Sequence, residues 1–157
     1  MRPISAQARV RAPAGTVWAL LDDLRDHWLL ADHWTDVLRV DEDGGTILLR
    51  GPLGLRRTAH VRVTARRAPT ELQGMALLGA ATAAEVRWEL VALGPAVTEV
   101  TLRADVVAAG PGDRLLLALG ARQWLHWRFV VTLRRLNDRL GDLPAETGLP
   151  TRSRETL

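Results

Sequence analysis

Arg122 and His126 are the residues whose types and spacing point most directly to chemistry. They stand four apart in an apolar-periodic stretch, so on a helix they share a face one turn apart. At about 100° per residue they fall in one stripe with Leu115, Leu119, Phe129, Leu133, Leu136 and Leu140. An arginine inside an apolar stripe is costly unless it is paired or meets water or a ligand. A neutral imidazole beside it can donate to or accept from a ligand oxygen, and the nearby guanidinium favours that neutral form. The pair therefore reads as carbonyl- or carboxylate-orienting groups in a pocket. In an enzyme they would be the candidate catalytic groups, for enolate stabilisation and proton transfer. The structural alternative has Arg122 reaching the rim or an inward acid, with His126 a satisfied core histidine.

Other chemistries are thinly supported. The chain has no cysteine and no tyrosine, which excludes thiolate chemistry, disulfides, cysteine-based zinc sites and a tyrosine acid. Its serines are Ser5 and Ser153, and neither stands in a nucleophile motif. There is no GxGxxG and no P-loop, so no cofactor is expected. The segment 26–34, DHWLLADHW, repeats Asp-His-Trp at an interval of six. On a helix, side chains six apart diverge by about 120°, so His27 and His33 do not share a ligand face and no metal site is expected. Packing and gating are the roles read for this segment, with Trp28 or Trp34 near a cavity mouth. All 21 basic residues are arginine, against 18 acids, for a net charge of +3. Arg56, Arg57, Arg62, Arg66 and Arg67 cluster in sequence but divide between strand faces and loops. With so small a net charge the counterion-release drive is weak, so no nucleic-acid partner is expected.

The elements that must position these groups follow from periodicity. The 157 residues, 47% hydrophobic and 25% charged, suit one globular domain. Ile4 to Ala12 alternates as a half-buried strand, ended by Pro13. Ala14–Leu24 reads as a short helix and Asp26–Trp34 as a second. Strands follow over Thr35–Asp43, Thr46–Arg50, Arg57–Arg66, Leu72–Leu78, Thr82–Val91 and Val97–Val107, with Gly44-Gly45 read as a turn. Val86, Trp88, Leu90, Val100, Leu102, Ala104 and Val106 face inward; Arg87, Glu89, Glu99, Arg103 and Asp105 make a solvated face of mixed sign. Asp113 is read as the N-cap of a long helix to Leu140, with Gly141 as its C-cap. The tail, 142–157, is expected to be disordered. Antiparallel strands joined by tight turns need a cover for their apolar face, and the long helix must supply it. The predicted fold is α+β: a curved antiparallel sheet wrapped around a long C-terminal helix, with two short helices after the first strand.

That order resembles the START-like, polyketide cyclase/dehydrase (SRPBCC) superfamily, with its helix-grip fold. The resemblance is carried by ARVRAPAGTVWALLDD at 8–23, VRWELVALGPAVTEVTLRADV at 86–106 and LRRLNDRL at 133–140. It implies a helix-grip ligand-binding domain over 1–141 that holds a hydrophobic small molecule, polyketide- or lipid-like, between sheet and helix. Small inward residues, among them Ala59, Ala65, Gly74, Ala76 and Ala84, are consistent with unfilled volume there; they would also let the helix pack closer. The expected ligand-contacting residues are Val61, Val63, Val86, Trp88, Leu102, Leu119, Arg122, His126, Phe129 and Trp34. Trp88 offers a flat apolar face for a planar ligand or serves as ordinary core. Aromatic polyketide cyclases of the superfamily place polar groups, often an arginine, on the inward face of a middle strand. Here that strand offers Ala59, Val61, Val63 and Ala65. The departure favours ligand binding or carriage over a cyclase/aromatase-type enzyme. A protein-interaction or self-protection module of the same fold is the third alternative.

Two expectations concern surroundings. No apolar run has the length of a membrane span and the first residues carry no apolar leader core, so a cytoplasmic protein is expected. The first half of the long helix is apolar nearly all round. Leu117, Trp124 and Val131, spaced by seven beside Gly120 and Ala121, form a seam opposite the inward stripe. A homodimer through this seam is the first expectation, and packing beneath segment 26–34 is the alternative.

Overall fold

The computed structural model describes residues 2–141; the tail expected over 142–157 lies outside the described residues. Strand β1 (Ile4–Val10) alternates buried and exposed residues, as its sequence dictates. Pro13 then starts α1 (Ala14–Asp22), whose Val17 and Leu21 are buried one turn apart. The Asp23 carboxylate accepts from the Arg25 N–H at 3.1 Å and caps α2 (Leu24–Leu29), which buries Leu24 and Trp28. The expected second helix is thus split: α2 ends at Leu29, and Asp32–Trp34 forms a separate 3-10 turn.

Six further strands complete the sheet: β2 (Thr35–Val40), β3 (Gly44–Arg50), β4 (Arg56–Arg67), β5 (Glu71–Leu78), β6 (Thr82–Gly94) and β7 (Val97–Ala108). All neighbours are antiparallel, in the order β1-β7-β6-β5-β4-β3-β2, so β1 closes the sheet at one edge and β2 at the other. The turn expected at Gly44-Gly45 lies one step earlier, and both glycines belong to β3. Gly45 is needed for close approach: a Cβ there would stand 2.9 Å from the indole of Trp28. The outer face of β6 and β7 carries the expected mixed charge, with Arg87 bridging Glu85 and Glu89 and Arg103 bridging Asp105.

The closing helix begins earlier than expected and is interrupted. Gly110 caps α3 (Pro111–Leu116), Pro111 takes the first helical position, and Asp113 sits inside the first turn. A π turn over Leu117–Ala121 contains Gly120 at φ 118°, a left-handed conformation that glycine adopts at least cost. Helix α4 (Arg122–Gly141) follows. From Phe129 onward the predicted stripe holds: Phe129, Leu133, Leu136 and Leu140 are buried and join Val10, Val17, Leu21 and Val100 in the main core, whereas Arg122 and His126 at the start of α4 do not. Before the interruption the stripe fails, with Leu115 60% and Leu119 75% exposed, because the extra residue of the π turn and the left-handed glycine rotate the two halves out of phase. Helix α4 lies chiefly along β1, with a lighter contact on β7.

Candidate functional site

The concave face is built in rows that the register defines. One row runs Leu72, Trp88, Leu102, all buried. The next runs Val63, Gly74, Val86, Ala104, and the third Val61, Ala76, Ala84, Val106. In these two rows every residue except Ala104 keeps accessible surface, although the rows cross the middle of a seven-stranded sheet. The first row is sealed because the main core closes over it. The other two consist of small or β-branched side chains beneath a helix that packs mainly on β1. Their side chains are short, and they stay partly accessible in mid-sheet.

Helix α2 packs against β3 and β4 on this face. Trp28 packs with Ile47 and Ala59, and Val40, Leu49, Val61 and Leu78 lie around them. His27 stands between the two tryptophans: its ring centroid is 5.2 Å from that of Trp88 at 77°, and 6.4 Å from that of Trp28 at 89°. Its Nδ1 is 3.0 Å from the carbonyl oxygen of Leu21. A carbonyl only accepts, so Nδ1 carries the proton and Nε2 presents a lone pair. No described residue donates to that lone pair. Burial lowers the His27 pKa from 6.5 to about 4, against the smaller opposing effect of the Leu21 bond. The imidazole is neutral at physiological pH, and the residue as a whole is half-buried.

Val61, Val63, Val86, Trp88 and Leu102 share this concave face, as expected from strand parity, and Phe129 is buried in the core beside it. Arg122 and His126 are elsewhere. Arg122 donates through Nη2 to the carbonyls of Arg2 at 2.6 Å and Pro3 at 3.4 Å, and His126 Nδ1 donates to the Ser5 carbonyl at 2.9 Å. The physical reason is that α4 lies alongside the edge strand β1 and the residues just before it, whose carbonyls need donors; the Arg122 Nη1 is buried and finds no partner among the described residues. His126 is exposed, and Leu119 projects into solvent from the π turn. Trp34 meets Trp124 edge-to-face, with centroids 5.7 Å apart, and the Arg128 guanidinium lies 5.1 Å over the Trp124 ring. The middle of the seam expected to form a dimer is therefore covered within the chain by the 3-10 turn, and Leu117 packs against the main core.

Sequence reasoning passed over His27. Its spacing from His33 argued against a metal, and that argument left the residue without a role. The signal lay in its place beside Trp28 on a short capped helix among apolar neighbours. Its contact with Trp88, far along the chain, is a product of the fold.

At the open end of β4, β5 and β6 a recess of about 280 Å³ is lined by Arg57, Leu78–Thr82 and Gly110–Asp113. Its polar groups satisfy one another. Asp113 accepts from Arg57 Nη1 and from the Thr82 hydroxyl, while Thr82 Oγ1 accepts from the Gly110 N–H at 3.2 Å and Arg57 Nη2 donates to the Leu78 carbonyl at 3.3 Å. Partial burial works against the Asp113 carboxylate, but the hydrogen bonds from Thr82 and Arg57 prevail and hold its pKa below the usual value.

No protein-family model and no curated protein matches the chain. Solved structures do. A Thermus thermophilus protein, TTHA0849, superposes with a TM-score of 0.72 at 15% identity, over 92% of this chain and 100% of its own. A START superfamily protein from Mycobacterium smegmatis gives 0.63 at 18% identity, over 90% and 99%. The Zhui aromatase/cyclase from Streptomyces sp. R1128 gives 0.64 at 18% identity, over 94% and 99%. Matches that span both chains at such low identity carry architecture and not chemistry, and with the strand order and closing helix they establish that this chain has the START-like, helix-grip fold.

Proposed function

We propose that the chain binds a hydrophobic small molecule, polyketide- or lipid-like, in a trough between the concave sheet face and the C-terminal helix. The observation that carries this reading is the pair of central rows, Val63-Gly74-Val86 and Val61-Ala76-Ala84, which stay accessible in mid-sheet. Concave, apolar and sparsely polar surroundings are what small-molecule sites offer. Val61, Val63, Val86, Trp88 and Leu102 are the proposed floor, with Trp28 and His27 as the wall. Carriage is preferred to catalysis because Arg122 and His126 lie off the concave face, bonded to the carbonyls of Arg2, Pro3 and Ser5, and because a neutral imidazole of low pKa, that of His27, is a weak base at physiological pH. The likeness to an aromatase/cyclase lends support to the type of ligand and none to the reaction.

Native mass spectrometry of the protein as purified tests the reading by showing a co-purifying ligand. A second test uses an apolar fluorescent probe. Val63→Trp fills the middle of the trough and is expected to abolish probe binding while the fold, followed by circular dichroism, persists. Undiminished binding to that variant would place the site elsewhere.

A further inference from the structure

The open end of the sheet carries apolar side chains that the fold leaves uncovered. Between β3 and β4 the segment 51–55, GPLGL, turns tightly: the Gly51 N–H donates to the Leu55 carbonyl at 2.7 Å, and Pro52–Gly54 forms a 3-10 turn. Leu53 stands at its apex with φ 60° and ψ 25°, followed by Gly54 at φ 74°. The left-handed region crowds an L side chain against its own backbone, so it suits glycine or asparagine better than leucine. Burial does not repay that cost, because Leu53 is 95% exposed. A bulky apolar residue held strained and clear of the protein points to a role outside the fold.

Its neighbours share this character. Arg57, two residues past Leu55, bonds Asp113 and so ties the loop to the first turn of α3. Two residues beyond Asp113, Leu115 is exposed, and Leu119 follows in the π turn. Arg56 and Arg114, each next to a leucine of this surface, are exposed, and their guanidinium groups have no partner among the described residues. The acids described at this end are taken, Asp113 by Arg57 and Thr82, and Asp36 by Arg50. At the far end the β2–β3 hairpin exposes Asp41, Glu42 and Asp43 instead. The open end therefore joins uncovered leucines to uncommitted positive charge. A symmetric contact with a second copy would bring those arginines together, which like charge opposes. A bilayer surface of anionic lipid meets both features: leucines enter the acyl boundary, while arginines lay their aliphatic stems beside them and keep the guanidinium groups at the phosphates.

We propose that the open end of the sheet, led by Leu53, Leu115 and Leu119 and flanked by Arg56 and Arg114, docks reversibly on an anionic lipid surface. The contact needs no ligand on the concave face.

Co-sedimentation of the full chain with vesicles tests it. The protein is expected to pellet with vesicles of phosphatidylcholine and phosphatidylglycerol, to bind phosphatidylcholine alone far more weakly, and to be released by added salt. Arg56→Gln and Arg114→Gln should each weaken binding about fivefold, and Leu53→Ser roughly tenfold. All three side chains are exposed, so these variants keep the fold. Orientation is read from a single label. The chain has no cysteine, so Leu53→Cys carries an environment-sensitive fluorophore at the apex alone, and Glu42→Cys carries it at the far hairpin. On adding the anionic vesicles the Leu53→Cys label should shift to the blue and the Glu42→Cys label should not. Protein that fails to pellet with the anionic vesicles, that pellets equally with the neutral ones, or whose two labels respond alike overturns the proposal. So does a wild type that sediments without lipid as a dimer which Leu53→Ser dissociates, since the leucines would then meet a second copy.

Discussion

His27 shows how a single side chain is set by its surroundings. Its carbonyl partner holds the tautomer, and burial against the indoles disfavours the charged form. The consequence for stability has a definite sign. The folded state holds the imidazole neutral down to about pH 4, whereas the unfolded chain protonates near 6.5. Between those values the unfolded state binds more protons, so stability is complete above about pH 6.5 and falls as the pH drops toward 4. The loss attributable to this residue is at most roughly 3 kcal/mol. Urea unfolding at a series of pH values should show wild type losing more stability than His27→Phe across that window, and parallel profiles would contradict the assignment. Arg122 and His126 illustrate the opposite case. Their spacing suggested ligand chemistry, but they act as donors to the edge strand β1 and to the residues just before it, a role for which their donor groups suit them equally well.

At the scale of elements, the interruption at Leu117–Ala121 governs what the closing helix can do. It frees α3 to turn its leucines outward while α4 keeps a continuous apolar stripe on the core. It also brings Trp124 to the 3-10 turn, where Trp34 and Arg128 enclose it. Aromatic pairs of this kind contribute about 0.5–1.5 kcal/mol beyond the area they bury. Trp124→Glu removes that pair and sets a carboxylate against Trp34. A loss of roughly 2 kcal/mol in urea unfolding is expected, with no change in sedimentation coefficient, because the contact is internal. A wild type that sediments as a dimer and a variant that sediments as a folded monomer would instead restore the seam as an interface between copies.

Across the whole molecule, the longest-range tie among the polar groups of the open end is the Arg57–Asp113–Thr82 network. It joins β4, the β5–β6 hairpin and the start of α3, so one carboxylate holds three separate parts of the chain at the end of the sheet. Asp113→Ala leaves Arg57 and Thr82 without that acceptor and is expected to cost about 1–2 kcal/mol at neutral pH. Because the folded carboxyl titrates below its ordinary value, its contribution is complete above that value and is lost as the pH falls through the folded one. Denaturant midpoints of variant and wild type should therefore converge in acid. A difference that persists unchanged there would show that the carboxylate charge is not what matters.

Strand positions, inward parity and the α+β order were legible in the sequence because period-2 alternation and turn residues act locally. Val86, Trp88, Leu102 and the buried part of α4 follow from that alternation and from helical spacing alone. The same local logic extended the stripe through Leu115 and Leu119, since nothing in the spacing of a glycine among leucines distinguishes a continuous helix from a π turn. The destinations of polar groups were not legible. Which carbonyls Arg122 reaches depends on α4 lying beside β1, and what surrounds His27 depends on α2 folding over strands distant in sequence. By itself the sequence determined which residues turn inward, through backbone periodicity; the tertiary structure decided which of them meet, because contacts across a sheet are set by how elements pack and by the donors and acceptors that packing leaves to be satisfied.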